Sequence, residues 1–339
     1  MTRRGILTGG TWCVDRNLLV DQWPAENGRA DILDLVMNGG GSGCNLAIDI
    51  RKLDARMPVA TICLVGDDAD GHFLKAEAEE NGVDTTDFML IGEAMTDYTH
   101  AYSSKATGRR THISYFGTSH LLTPDHFDFA RSTHKYLHLG LPGIHRLMDA
   151  PFAGDANGWV TVLKKARTAG LKTNIELASI PGERLAALVR PCLPHLDLVV
   201  VNDAEIAGIA GIPVEGAVGT DPETCIRAAK IVLEMSAADL VVAHFPKGGV
   251  AVARDGSVTT KASVNVPPAA TVGANGAGDA FAAGFLYGVH EGWSVERCLV
   301  LAHATAAASL RNISTTASVV PVAECLKLAD QWGWRASLQ

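Results

Sequence analysis

A short run of small residues that ends in a carboxylate, Gly276-Ala-Gly-Asp279, has the clearest potential for chemistry in this sequence. Its glycines let the backbone open a helix whose first N–H groups face outward at the positive end of the helix dipole. Such N–H groups stabilise negative charge that develops on a phosphoryl group. Asp279 beside them could accept a proton from an attacking hydroxyl, or could only complement the dipole. The pattern favours the catalytic interpretation.

A second glycine cluster, Gly39-Gly-Gly-Ser-Gly-Cys-Asn45, precedes another helical segment. Four glycines in five positions allow the backbone to approach a ligand closely, although a purely structural strand-to-helix turn is the alternative. The cluster is not a Walker A loop, because the chain has no Gly-Lys dipeptide. It is not a Gly-x-Ser-x-Gly elbow either, because Cys44 takes the last position. The Asn45 amide both donates and accepts, which suits a polyhydroxyl ligand.

Composition excludes several classes of protein. The 29 Lys and Arg against 37 Asp and Glu give a net charge of −8, which argues against a nucleic-acid partner. No apolar stretch approaches the roughly 20 residues that cross a bilayer, and the N-terminus lacks the apolar run of a signal peptide. Seven scattered cysteines without a CxxC pair are typical of reduced thiols, so we expect a cytoplasmic protein.

The elements that must position these clusters alternate along the chain. Runs of Val, Ile and Leu predict buried strands, and amphipathic segments between them predict helices. The predicted strands are 59–65, 136–141, 196–201 and 240–243, and the predicted helices are 45–53, 70–81, 158–169, 222–235, 276–290 and 295–310. This alternation implies right-handed crossovers and one α/β domain with a mostly parallel sheet covered on both faces.

Two polar stretches, 12–37 and 98–116, interrupt that alternation. The second has alternating flanks around Ala106-Thr-Gly-Arg-Arg, which is typical of a hairpin. The two stretches therefore form either a small second layer over the edge of the sheet or two separate surface hairpins.

The glycine cluster at residues 39–45, followed in the chain by the one at residues 276–279, resembles the pair found in the ribokinase-like (PfkB) carbohydrate kinase family. The family's Gly-Gly-x-Gly-x-Asn-x-Ala segment is matched by residues 40–47, and its Gly-Ala-Gly-Asp segment is matched in full by residues 276–279. Asn202-Asp-Ala-Glu205 is similar to the family's Asn-x-x-Glu motif, and Asp15 follows the opening strand as does the family's sugar-binding aspartate. These matches extend over nearly the whole chain.

The resemblance implies a doubly wound α/β domain over residues 1–339, with a small β-sheet lid built from segments at about 12–38 and 96–118. It implies ATP- and Mg²⁺-dependent transfer of the γ-phosphoryl group to a primary hydroxyl of a small sugar or nucleoside. Asp279 would be the general base, and the N–H groups of Gly276, Ala277 and Gly278 would form the anion hole. The alternative is a non-catalytic protein of the same fold that senses a sugar or nucleotide. The resemblance also allows a homodimer through the lid.

The same resemblance assigns the other candidate site residues. Those expected to bind the sugar or nucleoside are Asp15, Gly41, Ser42, Gly43 and Asn45. Those expected near the nucleotide are Asn202, Glu205, Lys247, Gly248, Gly249 and His303, with Glu205 holding Mg²⁺ through water.

Several positions depart from the family pattern. Gly273 and Ala274 replace the Asp-Thr pair that often binds a monovalent cation, so activation by such a cation is doubtful. Near the nucleotide, only Gly248 keeps its place in the family's glycine motif, and Lys247 lies either near ADP or in solvent. Glu176 stands where sugar-specific relatives often have Asp; it either contacts metal or phosphate through water or is a buried carboxylate at a strand end.

Aromatic residues of the expected lid leave the identity of the acceptor open. Tyr98, Tyr102, Tyr115 and Phe116, together with Trp12 near Asp15, could stack on a base. They could equally cover the apolar face of a sugar or close a small core of the lid itself.

Overall fold

Strands and helices alternate over most of the chain, as the apolar runs predict. The computed structural model describes residues 3–107, 109–213 and 221–338, apart from the side chain of Arg110. The strands are β1 Ile6–Gly10, β2 Cys13–Val20, β3 Ile32–Gly40, β4 Val59–Gly66, β5 Asp84–Ile91, β6 Tyr98–Ser104, β7 Arg110–Tyr115, β8 Tyr136–Gly140, β9 Lys172–Ile175, β10 Leu198–Asn202, β11 Leu240–Phe245, β12 Gly248–Ala253 and β13 Val258–Ala262. The helices are α1 Ser42–Leu53, α2 Ala69–Glu80, α3 Arg146–Asp149, α4 Gly158–Thr168, α5 Gly182–Val189, α6 Asp203–Ala210, α7 Pro222–Met235, α8 Ala277–His290, α9 Val295–Ser309 and α10 Val322–Trp332.

The central sheet begins with five parallel strands in the order β5-β4-β1-β8-β9. β10 runs beside β9, where the Asp197 N–H donates to the Thr173 carbonyl at 3.0 Å. From β10 the sheet continues through the parallel neighbour β11 to β12 and β13, which are antiparallel. The predicted mostly parallel sheet is thereby confirmed.

Each central strand contributes to two hydrophobic cores, because successive side chains of a strand point to opposite faces. In β4, Val59, Cys63 and Val65 face one core. Ala60 and Ile62 of the same strand face the other. Helices α1, α8, α9 and α10 cover the first face, and α4, α5, α6 and α7 cover the second. Burial on both faces explains why these strands read as continuous apolar runs in the sequence.

The two stretches that break the alternation pair with each other. The antiparallel hairpins β2–β3 and β6–β7 join through parallel pairing of β2 with β6, which gives one sheet in the order β3-β2-β6-β7. We call it the small sheet. Asp15, Thr99 and Ser114 lie in one cross-strand row of it, on the face opposite to Arg16, His100 and the other side chains of even number in β2 and β6. A second layer therefore forms, and not two separate hairpins.

All seven cysteines are buried and unpaired in the part of the chain that the structure describes, as their scattered spacing predicts. Burial raises the pKa of the Cys13 and Cys44 thiols well above its ordinary value, so both remain protonated. No described helix is both long enough and apolar enough to cross a membrane.

Candidate active site

Two cavities meet at the first turn of α8. Cavity A, of about 360 Å³, is lined by Asp279. Cavity B, of about 560 Å³, is lined by Ala277 and Gly278, the residues immediately before it in the sequence. Consecutive residues of one helix start therefore face two separate binding spaces, which allows a group bound in one cavity to react with a group bound in the other.

The start of α8 requires glycine at position 276, one of the positions that the sequence singled out. Gly276 has φ +74°, and a Cβ atom there would lie 2.8 Å from the backbone of Thr315. Gly278 lies close to the His244 ring, 3.4 Å from the place that its Cβ atom would take. The Ala277 N–H makes only a long bond, 3.4 Å, to the Ala274 carbonyl. The first N–H groups of a helix lack intrahelical acceptors, so they are available to an anion.

Asn45 orients the Asp279 carboxylate across the gap between α1 and α8. Its Nδ2 donates to Oδ2 of Asp279 at 2.6 Å. The Thr315 hydroxyl donates to Oδ1 of Asn45 at 2.8 Å, which fixes the direction of the amide. The Asn45 bond favours the charged form of Asp279 and so acts to lower the pKa of that carboxyl.

Glu176 lies against Asp279 from the other side. It follows β9 directly, and its side chain shares a hydrogen bond with that of Asp279. Burial raises the pKa of Glu176 to about 7, and burial together with the Glu176 charge raises the pKa of Asp279 well above its usual range. Two carboxyl groups in such contact titrate as a coupled pair.

His138 of β8 completes this group. Burial lowers its pKa to about 4, so the ring is neutral. Nδ2 of Asn174 donates to Nδ1 of His138 at 2.8 Å, which leaves Nε2 to donate to Oε2 of Glu176 at 2.8 Å. Of the two interpretations of Glu176, the structure fits a strand-end carboxylate, with the addition that it touches Asp279.

The glycine cluster at residues 39–45 contributes to the wall of cavity A next to the small sheet. A Cβ atom on Gly40 would lie 2.3 Å from Oδ2 of Asp15, so glycine is required for the Asp15 carboxylate to pack there. Gly41, with φ +88°, follows β3 and is the N-cap residue of α1. Asp15, Gly41, Ser42 and Asn45 all line cavity A. Gly43 is not among its lining residues; its N–H donates to the Thr11 carbonyl at 3.1 Å.

The Asn202–Glu205 motif starts α6 at the edge of cavity B. Oδ1 of Asn202 accepts from the Glu205 N–H at 2.8 Å, and Oε2 of Glu205 accepts from the Asn202 N–H at 3.0 Å. This reciprocal capping box explains the spacing of the motif. Asn202 lines the cavity, whereas Glu205 lies behind it, where burial raises its pKa to about 7.

An aromatic wall forms the far side of cavity B. His303 meets Phe281 edge to face at 5.0 Å, and His244 lies 4.7 Å from the same ring. Gly249 lies beneath them, since its Cβ atom would be 3.3 Å from Nε2 of His303. Burial lowers the pKa of His303 to about 3, so this histidine contributes a neutral ring to the wall.

Lys247 and Gly248 lie away from cavity B. Lys247 is in the turn between β11 and β12 and lines a third space, cavity C, with Asn265 and Trp334. Gly248 packs against the Lys261 carbonyl, 2.5 Å from the site of its Cβ atom. The structure therefore does not bring these two candidates to the nucleotide-sized cavity.

The aromatic residues of the small sheet mostly contact each other. Tyr98 stacks on Tyr115 at 5.3 Å, and the Arg16 guanidinium lies 4.9 Å from the Tyr98 ring. Tyr98 and Tyr115 border cavity A, but they belong to the rows opposite to Asp15. Trp12 is buried and donates to the Thr61 hydroxyl at 2.9 Å. Tyr115 and Phe116 are nevertheless exposed and line cavity A, so these rings are not enclosed in a core of the small sheet.

Three residues that line the cavities were not predicted as site residues from the sequence: Asn275, Phe281 and Arg335. Asn275 lines cavity A and directly precedes Gly276. That position was the one sequence feature that could have identified it as a site residue. Phe281 has the helical spacing of an ordinary core residue. Arg335 lines cavity B from the end of the chain, and no motif surrounds it.

Comparisons with known proteins identify what the chain is similar to. The family model described as pfkB family carbohydrate kinase matches residues 6–323. The chain is 26% identical over 306 residues to the ATP-dependent ribose-1-phosphate kinase of Halopiger xanaduensis. This match covers 89% of this chain and 90% of the relative. It is 23% identical over 295 residues to the ribokinase of Haemophilus influenzae, and this match covers 86% of this chain and 87% of that relative. The structure of Arabidopsis thaliana ribokinase complexed with ribose and ATP matches with a TM-score of 0.77 and 21% identity, covering 96% of this chain and 99% of that one.

Proposed function

Because this chain belongs to the pfkB family of carbohydrate kinases, we propose that it transfers the γ-phosphoryl group of ATP to a primary hydroxyl of an uncharged sugar or nucleoside. The observation that carries this proposal is the junction of the two cavities at the start of α8. Asp279 faces cavity A, while Ala277 and Gly278 face cavity B. An acceptor hydroxyl in cavity A and a phosphoryl group in cavity B would then meet beside a carboxylate and a set of N–H donors.

In this mechanism Asp279 is the general base. It accepts the proton of the acceptor hydroxyl while that oxygen attacks phosphorus and the bond to the leaving ADP oxygen breaks. The N–H groups at residues 276–278 stabilise the charge on the transferring group. Asn45, 2.6 Å from Asp279, keeps the carboxylate directed and favours its ionised form. These groups supply positioning and charge stabilisation, which are the main needs of phosphoryl transfer.

The residues of cavity B suit a nucleotide. The neutral rings of Phe281 and His303 give an apolar wall for a base, and the start of α8 offers N–H donors to phosphates. Mg²⁺, when bound with ATP, would neutralise charge on the phosphates. No group of three or more His, Cys, Asp or Glu within the described ranges is arranged to hold a metal. Since Mg²⁺ keeps most of its waters in nucleotide sites, the nearby Glu205 and Asn202 fit contact through water.

The charge of cavity A supports an uncharged acceptor. Four acidic side chains line it, those of Asp15, Asp97, Glu176 and Asp279, and no Lys or Arg is among its described lining residues. Arg16, next to Asp15 in β2, is held in an ion pair with Asp70 at 2.5 Å. An acceptor that already bears a phosphate, such as the ribose 1-phosphate in the name of the Halopiger relative, would be repelled.

We assign the small sheet as the lid of cavity A and as a dimer contact. Asp15 and Ser114 line the cavity from one face of the small sheet, its inner face. Its outer face exposes Leu35, Met37 and Ile113, each more than two fifths accessible. A patch of this kind is typical of a protein–protein contact. Light scattering should give twice the chain mass, and Leu35→Lys should return the protein to a monomer; a monomeric wild type would exclude this contact.

A screen of ADP release tests the proposed activity. Pentoses, hexoses and nucleosides should be assayed beside ribose 1-phosphate with ATP and Mg²⁺, and we expect kcat/KM for the best uncharged acceptor to exceed that for the phosphate at least tenfold. Preference for ribose 1-phosphate would overturn the uncharged acceptor but leave the kinase. Binding of sugars or nucleotides without ADP release from any acceptor would overturn the kinase and indicate a sensing protein.

A further inference from the structure

A short extended tail follows α10 and closes one side of cavity B. The Gly333 carbonyl accepts from the Asn265 N–H at 2.8 Å. Two residues on, the Arg335 N–H donates to the Ser263 carbonyl at 2.9 Å. These bonds hold residues 333–335 alongside the segment that follows β13. The backbone of Arg335 is thereby fixed.

Side chains on both sides of Arg335 anchor the tail. Trp334 bridges Val264, and Nζ of Lys261 lies 4.2 Å from the centre of its indole ring. Leu338 packs half-buried against the core on the far side of the sheet, next to Gly248. Residues 333–335 are therefore held against the segment after β13, and Arg335, whose side chain is exposed, lies at the border of cavity B.

Arg335 is the cationic side chain of cavity B. It is the one Lys or Arg among the described residues that line this cavity, and it makes no ion pair with a described residue. Lys247, which the family pattern would bring near the nucleotide, lies in cavity C on the other side of the tail. Arg335 borders both spaces, because the tail divides them.

We propose that Arg335 binds the nucleotide and forms part of the wall of the nucleotide site. This inference rests on the proposed function. A guanidinium at the edge of an apolar cavity pairs with phosphate or stacks on a base, and either contact stabilises a bound nucleotide. Arg335 thus brings to cavity B a positive charge that the turn between β11 and β12 does not.

Calorimetric titration with ADP and Mg²⁺ tests the contact. Arg335→Ala keeps both backbone bonds, so its melting temperature without nucleotide should equal that of the wild type, while its Kd for ADP should rise about tenfold. The KM for ATP should rise similarly and the KM for the acceptor should not change. Arg56→Ala, which removes a side chain that is 91% exposed and remote from both cavities, is the matched control and should leave the Kd unchanged.

Trypsin gives a readout that does not depend on activity. Cleavage after Arg335 removes the last four residues, which mass spectrometry detects. Saturating ADP should slow that cleavage at least several-fold in the wild type. A wild type that binds ADP, with an unchanged Kd in Arg335→Ala or no protection from trypsin, overturns the inference alone. A wild type that does not bind ADP overturns the proposed function.

Discussion

Glu176 and Asp279 share a hydrogen bond between their side chains although they come from different elements, the end of β9 and the first turn of α8. Both carboxyls are poorly hydrated, and each raises the energy of the other's charged form. His138 donates to Glu176 at 2.8 Å, and Asn45 donates to Asp279 at 2.6 Å. The pair is therefore held between two neutral donors. This arrangement makes the protonation of Asp279 the property to test.

Asp279→Asn should remove the general base. We expect kcat to fall about 10²- to 10⁴-fold, because a positioned proton acceptor is lost. ADP affinity and melting temperature should stay close to those of the wild type, since the amide keeps the shape of the carboxyl. Glu296→Gln is the matched control: it neutralises a first-turn carboxylate of α9 and should not alter kcat. Wild-type turnover in Asp279→Asn would leave Asp279 with only a dipole role.

Glu176→Gln should move the acid limb of the pH–rate profile to lower pH. Asp279 must be ionised to accept a proton, so activity rises as pH increases through the pKa of the pair. The Glu176 charge raises the pKa of Asp279, so removing it lowers that pKa, and we expect the limb of kcat to shift down by about one pH unit. The glutamine oxygen still accepts from His138, which preserves the packing. A limb at an unchanged pH would mean that Glu176 does not tune the base.

Asn45→Ala should shift the same limb in the opposite direction. Its Nδ2 stabilises the ionised form of Asp279, so loss of this donor raises the pKa of Asp279. We expect the limb to rise by about one pH unit and kcat at pH 7 to fall. Thr315→Val, which removes only the hydroxyl that orients Asn45, should give a smaller shift in the same direction. A downward shift in Asn45→Ala would contradict the assigned donor.

Asp49→Ala should stabilise the protein at neutral and alkaline pH. Asp49 is fully buried in α1, and neither carboxylate oxygen has a hydrogen-bond partner among the described residues. Burial raises the pKa of Asp49 well above its ordinary 3.8, so the folded state binds the proton more tightly than the unfolded state. The protonated carboxyl therefore does not lower the free energy of unfolding below pH 3.8. As pH rises through the raised pKa, the buried carboxyl must ionise and the free energy of unfolding falls.

Urea unfolding at several pH values measures this effect. The free energy of unfolding of Asp49→Ala should exceed that of the wild type by about 1–3 kcal/mol at pH 8, and the difference should shrink as pH falls toward 4. Asp34 is an exposed residue of β3, so for Asp34→Ala the difference from the wild type should not change with pH. A destabilised Asp49→Ala at pH 8 would indicate that the carboxylate has a partner in the folded protein.

The strands and helices that local patterns predicted are present with small errors at their ends, whereas other elements, such as β5, β13, α5 and α10, were not predicted. The helix expected at 70–81 runs from Ala69 to Glu80, because Asp68 caps its N-terminus by accepting from the Gly71 N–H at 2.9 Å. The strand expected from Leu196 starts at Leu198, since the Leu196 N–H is used in a turn with the Leu193 carbonyl. Such endpoints depend on single hydrogen bonds that apolar periodicity does not encode.

The sequence by itself determined the groups whose geometry is local. The small residues at 276–278, the adjacent Asp279 and the capping spacing of Asn202 and Glu205 each act within one helical turn, so their order along the chain is enough to predict them. Only the tertiary structure decided which distant groups meet. Glu176 touches Asp279 because parallel strands bring their carboxyl ends to one edge of the sheet, where α8 also begins. Lys247 lines cavity C and not cavity B, whereas Arg335 lines cavity B. Arg335 lies there because the tail pairs with the segment after β13, and no local sequence pattern predicts that contact.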